Sequence, residues 1–203
     1  MNKPAWVAAD QPQIRPYTLS LSSDARAALK HQQPCCLWLT GLSGAGKSTL
    51  ANLLELRLNE LGMHTFVLDG DNVRSGLCRD LGMGAEARKE NIRRMAEVAR
   101  LMVDAGLLVI VSAISPFRGE RDAARALFDP GQFLEVYIST PFDTCAQRDP
   151  KGLYQAAMAG RIKDFTGLDS PYEAPLYAEC EIDTASVALP EAIQRLLQLL
   201  PRK

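Results

Sequence analysis

Apolar residues along this chain follow two rhythms. Short unbroken runs alternate with longer stretches in which apolar positions recur three and four residues apart. Unbroken runs bounded by turn residues suit strands covered on both faces, and the second spacing suits helices with one apolar stripe. Runs at 35–40 (CCLWLT), 65–68, 107–114, 133–139 and 179–184 read as five strands, that at 65–68 as a buried one. Helices are expected between them. The first carries leucines at 50, 53, 54, 58 and 61 and stops at Gly62. A second spans 86–105 and stops at Gly106. Ser115-Pro116 opens a third, with serine as its cap and proline in its first turn, reaching 128. Thr140-Pro141 opens a short helix to 148, and residues 149–159 form a basic, mobile helical element. An amphipathic helix at 189–200 closes the chain. Strands alternating with helices imply an α/β fold, a parallel five-stranded sheet with helices on both faces. Residues 1–34 hold Pro4, Pro12, Pro16 and Pro34 among polar residues and are expected to form a loosely held N-terminal extension. Within it, 22–30 can make one helix capped by Ser22 or Ser23.

Composition narrows this picture without redirecting it. With 203 residues and 47% apolar content, one domain with ample core is the expectation. Lys plus Arg number 23 against 24 for Asp plus Glu, so no basic surplus points to nucleic acid or to an anionic membrane. The five cysteines form no C-x-x-C pair and no metal-ligand spacing with His31 and His64. The N-terminus lacks a signal-like apolar core and no run approaches a membrane span, so the cytoplasm is the expected compartment.

The chemistry begins directly after the first run. Gly41, Leu42, Ser43, Gly44, Ala45, Gly46, Lys47 and Ser48 fit G-x-x-x-x-G-K-[ST], with Thr49 following. Glycines let such a loop curl until its N–H groups face a phosphate, and the following helix adds the positive end of its dipole. Lys47 can then reach the β- and γ-phosphates of a nucleoside triphosphate, and the Ser48 hydroxyl can ligate Mg²⁺. This is a P-loop NTPase-like arrangement. Asp69 and Asp71 close the second strand, where open α/β sheets place ligands. Residues two apart on a strand share a face, so both carboxylates are expected to address one site. A solvated D-G-D-N turn is the alternative. From 71 to 89 the chain is polar and glycine-punctuated, as expected of a substrate-covering segment. Arg74, Arg88 and Lys89 suit phosphate or sulfate oxygens, whereas Arg93, Arg94 and Arg100 read better as a solvated helix face.

The runs GLSGAGKST, LDGDNVRSGLCRDLG, RKENIRR, ISPFR, RDPKGLY and FTGLDSPYEAP occur here in that order. Together they resemble the adenylylsulfate kinase (APS kinase) family over residues 22–200. The resemblance implies transfer of the γ-phosphate of Mg²⁺-bound ATP to the 3′-hydroxyl of adenosine 5′-phosphosulfate. Carried over by position, it makes Asp71 the metal-organising and base-like aspartate, supported by Asp69. It places Asn72, Arg74, Arg88, Asn91, Ile114, Ser115, Lys151 and Phe165 around the acceptor, and Arg148 on the adenine side of ATP. Ser48 and Asp71 are then the metal ligands, and Lys47, Asp71 and Ser115 the catalytic set. Ser115 keeps two readings, a phosphoserine intermediate or a helix cap touching the acceptor. The family's lysine-bearing lid corresponds to the mobile element around Lys151. Two positions depart from the family pattern. Met83 stands where an aromatic would stack on the acceptor's adenine, and Gln155 where a basic residue is common. The resemblance further implies a homodimer and, because some relatives are fused to ATP sulfurylase, an association with that enzyme. The competing readings are a kinase of another small acceptor and a nucleotide-dependent switch or ATPase. A GTPase switch is disfavoured, because N-K occurs only at Asn2-Lys3, without the fourth-position Asp.

Overall fold

The computed structural model describes residues 15 and 17–201. Strand β1 (Cys35–Thr40) is buried along all six residues, as befits the middle of a sheet. Its partners are β3 (Leu108–Ser112) on one side and β4 (Phe133–Ile138) on the other, both parallel to it. β2 (Thr65–Asp69) pairs with β3, and β5 (Cys180–Ile182) with β4, giving the order β2-β3-β1-β4-β5. The expected parallel five-stranded sheet is therefore present. Alternation along β1 divides the core. Cys35, Leu37 and Leu39 face a cluster that includes helix α2 (Lys47–Glu60) and helix α8 (Leu189–Leu199). Cys36 and Trp38 face the opposite cluster, built with helix α4 (Ala85–Asp104) and helix α5 (Arg118–Arg125).

Three expectations need correction. The strand at 65–68 is not buried, for β2 is an edge strand in which only Leu68 is fully covered and Phe66 is 46% exposed. Ser115 does not cap a helix. Helix α5 starts at Arg118, with Phe117 at its N-cap and no side-chain capping bond, so Pro116 lies outside its first turn. The segment after β2 also contains helix α3 (Gly70–Ser75), so Asp71 sits on a helix and shares no strand face with Asp69.

Residues 17–22 are exposed, whereas the stretch from helix α1 (Ser23–Leu29) to Gln32 packs on the domain through Ala27 and Gln32. Helix α1 is capped by Ser22, whose hydroxyl accepts from Ala25 N–H at 3.1 Å. The buried Gln32 amide donates to the carbonyls of His64 (2.9 Å) and Gly106 (2.8 Å) and accepts from His64 N–H (2.8 Å). Those contacts lie just before β2 and β3, at the end of the sheet opposite Asp69. The expectation of looseness for residues 1–14 and 16 lies outside the described residues. No helix among the described residues is long and apolar enough to cross a membrane.

Candidate active site

A cleft of about 770 Å³ opens over the C-terminal ends of the strands. Ser43, Gly44, Gly46, Lys47, Ser48, Thr49 and Arg148 line its loop end. Asp69, Asp71, Arg74, Met83, Arg88, Asn91, Ile114, Ser115, Lys151 and Phe165 line the rest. Gly41, Leu42, Ala45 and Asn72 lie outside this lining. Three of these four belong to the loop's supporting frame, and Asn72 is exposed on α3.

The loop end is shaped by backbone. Gly41 has φ +148°, and a Cβ there would lie 2.5 Å from the Ile138 carbonyl oxygen. Gly44 has φ +75°, and its Cβ would lie 2.9 Å from the carbonyl oxygen of Cys145. Only glycine permits both the conformation and the approach. Ala45 is fully buried, and its carbonyl accepts from Thr140 (3.0 Å) and Thr184 (2.8 Å). Lys47 folds back on its own loop, donating to the carbonyls of Gly41 (2.9 Å) and Leu42 (2.7 Å). Burial pulls its ammonium down to about 8. The Ser48 hydroxyl donates to the Asp69 carboxylate at 2.7 Å and lies 3.2 Å from the Ser112 hydroxyl. The other Asp69 oxygen accepts from Asp71 N–H at 3.0 Å and so caps α3. The oxygens nearest the loop serine thus belong to Asp69 and Ser112.

Among the described residues no cluster of three or more His, Cys, Asp or Glu could hold a metal ion unaided. The donor set that is present consists of Ser48 and Ser112 hydroxyls with one carboxylate. It suits Mg²⁺, which keeps several waters and takes few protein oxygens alongside substrate phosphates.

Two elements reach over the cleft. Helix α6 (Phe142–Arg148) ends in Arg148, which donates to the Thr184 hydroxyl (2.7 Å) and carbonyl (2.9 Å). Helix α7 (Leu153–Met158) carries the buried Tyr154, whose hydroxyl donates to the Ser43 carbonyl at 2.9 Å. Tyr154 packs edge-on against Phe165, with centroids 4.9 Å apart. Just before α7, Lys151 forms an ion pair with Asp71 across the cleft. Gln155 is exposed, and its backbone N–H binds Asp149.

The far end is incomplete in hydrogen bonds. Arg88 donates from Nη1 to the Thr166 hydroxyl at 3.3 Å, but its Nε is buried without a partner. Asn91 is 3% exposed, and its Oδ1 is likewise unpartnered. Buried polar atoms are almost always satisfied, so such gaps at a cleft mark places a ligand can fill. Ser115, only 1% exposed, accepts from the Trp38 indole N–H at 3.0 Å. Its φ is +38°, unusual for a residue other than glycine. Met83 lies at the rim, 70% exposed. Arg93 and Arg94 pair with Glu90, and Arg100 with Asp104, away from the cleft as expected of a helix face. Sequence reasoning missed Ser112, Thr166 and Thr184. Ser112 and Thr184 are lone hydroxyls near strand ends that carry no motif, and Thr166, though inside the FTGLDSPYEAP run, is singled out only by its bond to Arg88.

Residues 33–183 match the family model described as adenylylsulphate kinase. An adenylyl-sulfate kinase of Shewanella sp. (strain ANA-3) is 59% identical over 181 residues, covering 89% of this chain and 88% of the relative. The bifunctional enzyme NodQ of Azospirillum brasilense is 56% identical over 185 residues, 91% of this chain but 30% of that protein. Among solved structures, the Mycobacterium tuberculosis APS kinase CysC in complex with AMPPNP and APS superposes with a TM-score of 0.78. It shares 44% identity, over 83% of this chain and 98% of that one.

Proposed function

Because this chain belongs to the adenylylsulphate kinase family, we propose a division of labour among its residues for the reaction it performs. That reaction moves the γ-phosphate of ATP to the 3′-hydroxyl of adenosine 5′-phosphosulfate, giving the 3′-phosphorylated product. The observation that carries the assignment is the meeting, in one cleft, of a backbone-built phosphate loop and two buried, unpartnered polar atoms on Arg88 and Asn91.

ATP phosphates take the loop N–H groups from Gly41 to Thr49, and Lys47 turns from its own loop carbonyls to the β and γ oxygens. Arg148 flanks the adenine beside Thr184. When bound with ATP, Mg²⁺ neutralises charge on the phosphate oxygens. Ser48 and Asp69 would hold it, with Asp71 two residues on, in the first turn of α3. Arg74, Arg88 and Asn91 receive the phosphosulfate and ribose, with Asn72 at the margin. Phe165 offers one face to the acceptor adenine and Met83 the other. Asp71 then orients the 3′-hydroxyl and takes up its proton, a role worth roughly 10²- to 10⁴-fold. In the free protein Lys151 occupies Asp71, so the lid lysine must release it as the acceptor enters. We favour direct in-line transfer over a phosphoserine. The Ser115 hydroxyl already binds the Trp38 indole and is buried, which suits a wall of the site and not a nucleophile.

Residues 35–203 are proposed as the kinase domain and 1–34 as its extension. The homodimer, the cytoplasmic location and an association with ATP sulfurylase follow the resemblance, and light scattering would read the first. The test of the residue roles is ATP consumption with and without adenylylsulfate in Asp69→Asn and Asp71→Asn, with Mg²⁺ titrated. Asp69→Asn should raise the Mg²⁺ requirement, and Asp71→Asn should lower kcat at saturating Mg²⁺. Near-normal kcat in a folded Asp71→Asn protein would remove that aspartate from the chemistry.

A further inference from the structure

Arg121 has no place in the roles assigned above, yet it is the most deeply buried charged side chain among the described residues, 1% exposed. Each of its three guanidinium nitrogens donates one hydrogen bond. Nε donates to Glu135 at 2.6 Å, Nη1 to the carbonyl of Ser115 at 2.7 Å, and Nη2 to the carbonyl of Glu173 at 2.7 Å. Glu135, on β4, supplies the counter-charge and also meets Arg125 at 3.4 Å. The Tyr172 ring lies 5.8 Å from the Arg121 guanidinium carbon. Its hydroxyl meets that of Thr40 at 2.9 Å, and Thr40 in turn donates to the Ile114 carbonyl at 2.7 Å. Glu173 N–H adds a bond to the Pro116 carbonyl at 2.8 Å.

These bonds join two segments that are distant in sequence. One is the turn after β3, holding Ile114 and Ser115 against the cleft. The other is the loop that carries Phe165 and Thr166, the latter being the partner of Arg88. A buried ion pair is a poor device for stability alone, since well-packed apolar side chains commonly match it. What an apolar side chain cannot do is hold two carbonyls from different segments at a fixed separation. The left-handed φ of Ser115 points the same way, because such a backbone persists only where its surroundings over-determine it. Trp38, Thr40 and Arg121 all bond to this one residue.

We infer that Arg121, with Glu135 as its counter-ion, is a positioning residue for the acceptor. It fixes the gap between the Ile114–Ser115 turn and the Phe165–Thr166 loop, and thereby the fit of adenylylsulfate, without touching it. The inference rests on the assignment of this end of the cleft to adenylylsulfate. Arg121→Lys keeps the charge but cannot span Glu135 and both carbonyls, and Tyr172→Phe removes only the link to Thr40. Steady-state kinetics with each substrate varied in turn, alongside thermal melts, form the test. Arg121→Lys should raise the adenylylsulfate KM about ten-fold while the ATP KM stays within about two-fold, because small misplacements of a positioning frame carry large costs. Tyr172→Phe should move the same constant in the same direction by less. Equal changes in both KM values, or an unchanged adenylylsulfate KM in folded Arg121→Lys, would overturn the inference. If Arg121→Lys does not fold, an unchanged adenylylsulfate KM in Tyr172→Phe overturns it. A wild-type protein whose ATP consumption ignores adenylylsulfate would instead refute the acceptor assignment itself, and this role with it.

Discussion

At the loop end of the cleft the polar side chains Lys47, Ser48 and Arg148 already have partners and the backbone N–H groups are left to face a phosphate, while at the far end two buried side-chain atoms wait. Lys47 rests on two carbonyls of its own loop, Ala45 is held by two threonines, and three glycines carry left-handed backbone. Opposite them, Arg88 Nε and Asn91 Oδ1 are buried and unpaired, and Met83 stands in solvent. The donor end is built before its ligand arrives. In the proposed assignment the acceptor end is held by the Arg121 frame and completes its hydrogen bonds on binding. A rigid donor loop can serve any triphosphate, so discrimination must reside where groups are left unpaired, because a ligand lacking the matching atoms leaves them so.

The contrast breaks most completely at Gly41. Alanine there must adopt φ +148° and meet the Ile138 carbonyl at 2.5 Å. Gly41→Ala should lower kcat/KM for ATP by about a hundred-fold and Tm by several degrees, read by kinetics and calorimetry. Asn91→Leu tests the other end. It removes an unpaired buried oxygen, so Tm should rise slightly even as the adenylylsulfate KM climbs by about ten-fold or more. A fall in Tm would mean that Asn91 is satisfied in the free protein.

Protonation sharpens the donor side. In the free protein burial pulls Lys47 down to about 8, whereas phosphate oxygens favour the charged ammonium. Binding ATP therefore takes up a proton above that pH, and affinity falls as pH rises, by up to about ten-fold per unit. Nucleotide titrations across that range should show the slope, and Lys47→Arg should flatten it while weakening binding. The smallest effect is expected at the rim. Met83→Phe supplies a flat ring to the acceptor base and should lower the adenylylsulfate KM a few-fold, leaving that for ATP unchanged, given that stacking is worth about 1–3 kcal/mol per base. Phe165→Ala should raise the same constant by more. A shift in the ATP constant for Met83→Phe would put residue 83 on the donor side.

What could be read from sequence divides along the same line. The loop at 41–48 and the stop of α4 at Gly106 were legible because local chemistry dictates them, glycine conformations and caps being properties of neighbouring residues. The exposure of β2 was not, since edge and centre depend on strand order, which no single strand encodes. Ser115-Pro116 carries the signature of a helix start, yet bonds from Trp38, Thr40 and Arg121 hold the serine elsewhere and delay the helix to Arg118. Asp69 and Asp71 both line one cleft, but through helix α3 and not through strand parity, which is what their spacing suggests.

Gln32 has a consequence for how this domain can be attached to anything else. Its amide clasps the backbone just ahead of β2 and β3, so polypeptide leading into β1 is anchored beneath the sheet. The proposed substrate cleft lies at the other rim, a strand's length away, roughly 17–20 Å. A tether, a tag or a whole second protein grafted ahead of that glutamine therefore hangs from the floor of the molecule. A pull on it is borne by the sheet's foot before it can be felt at the cleft.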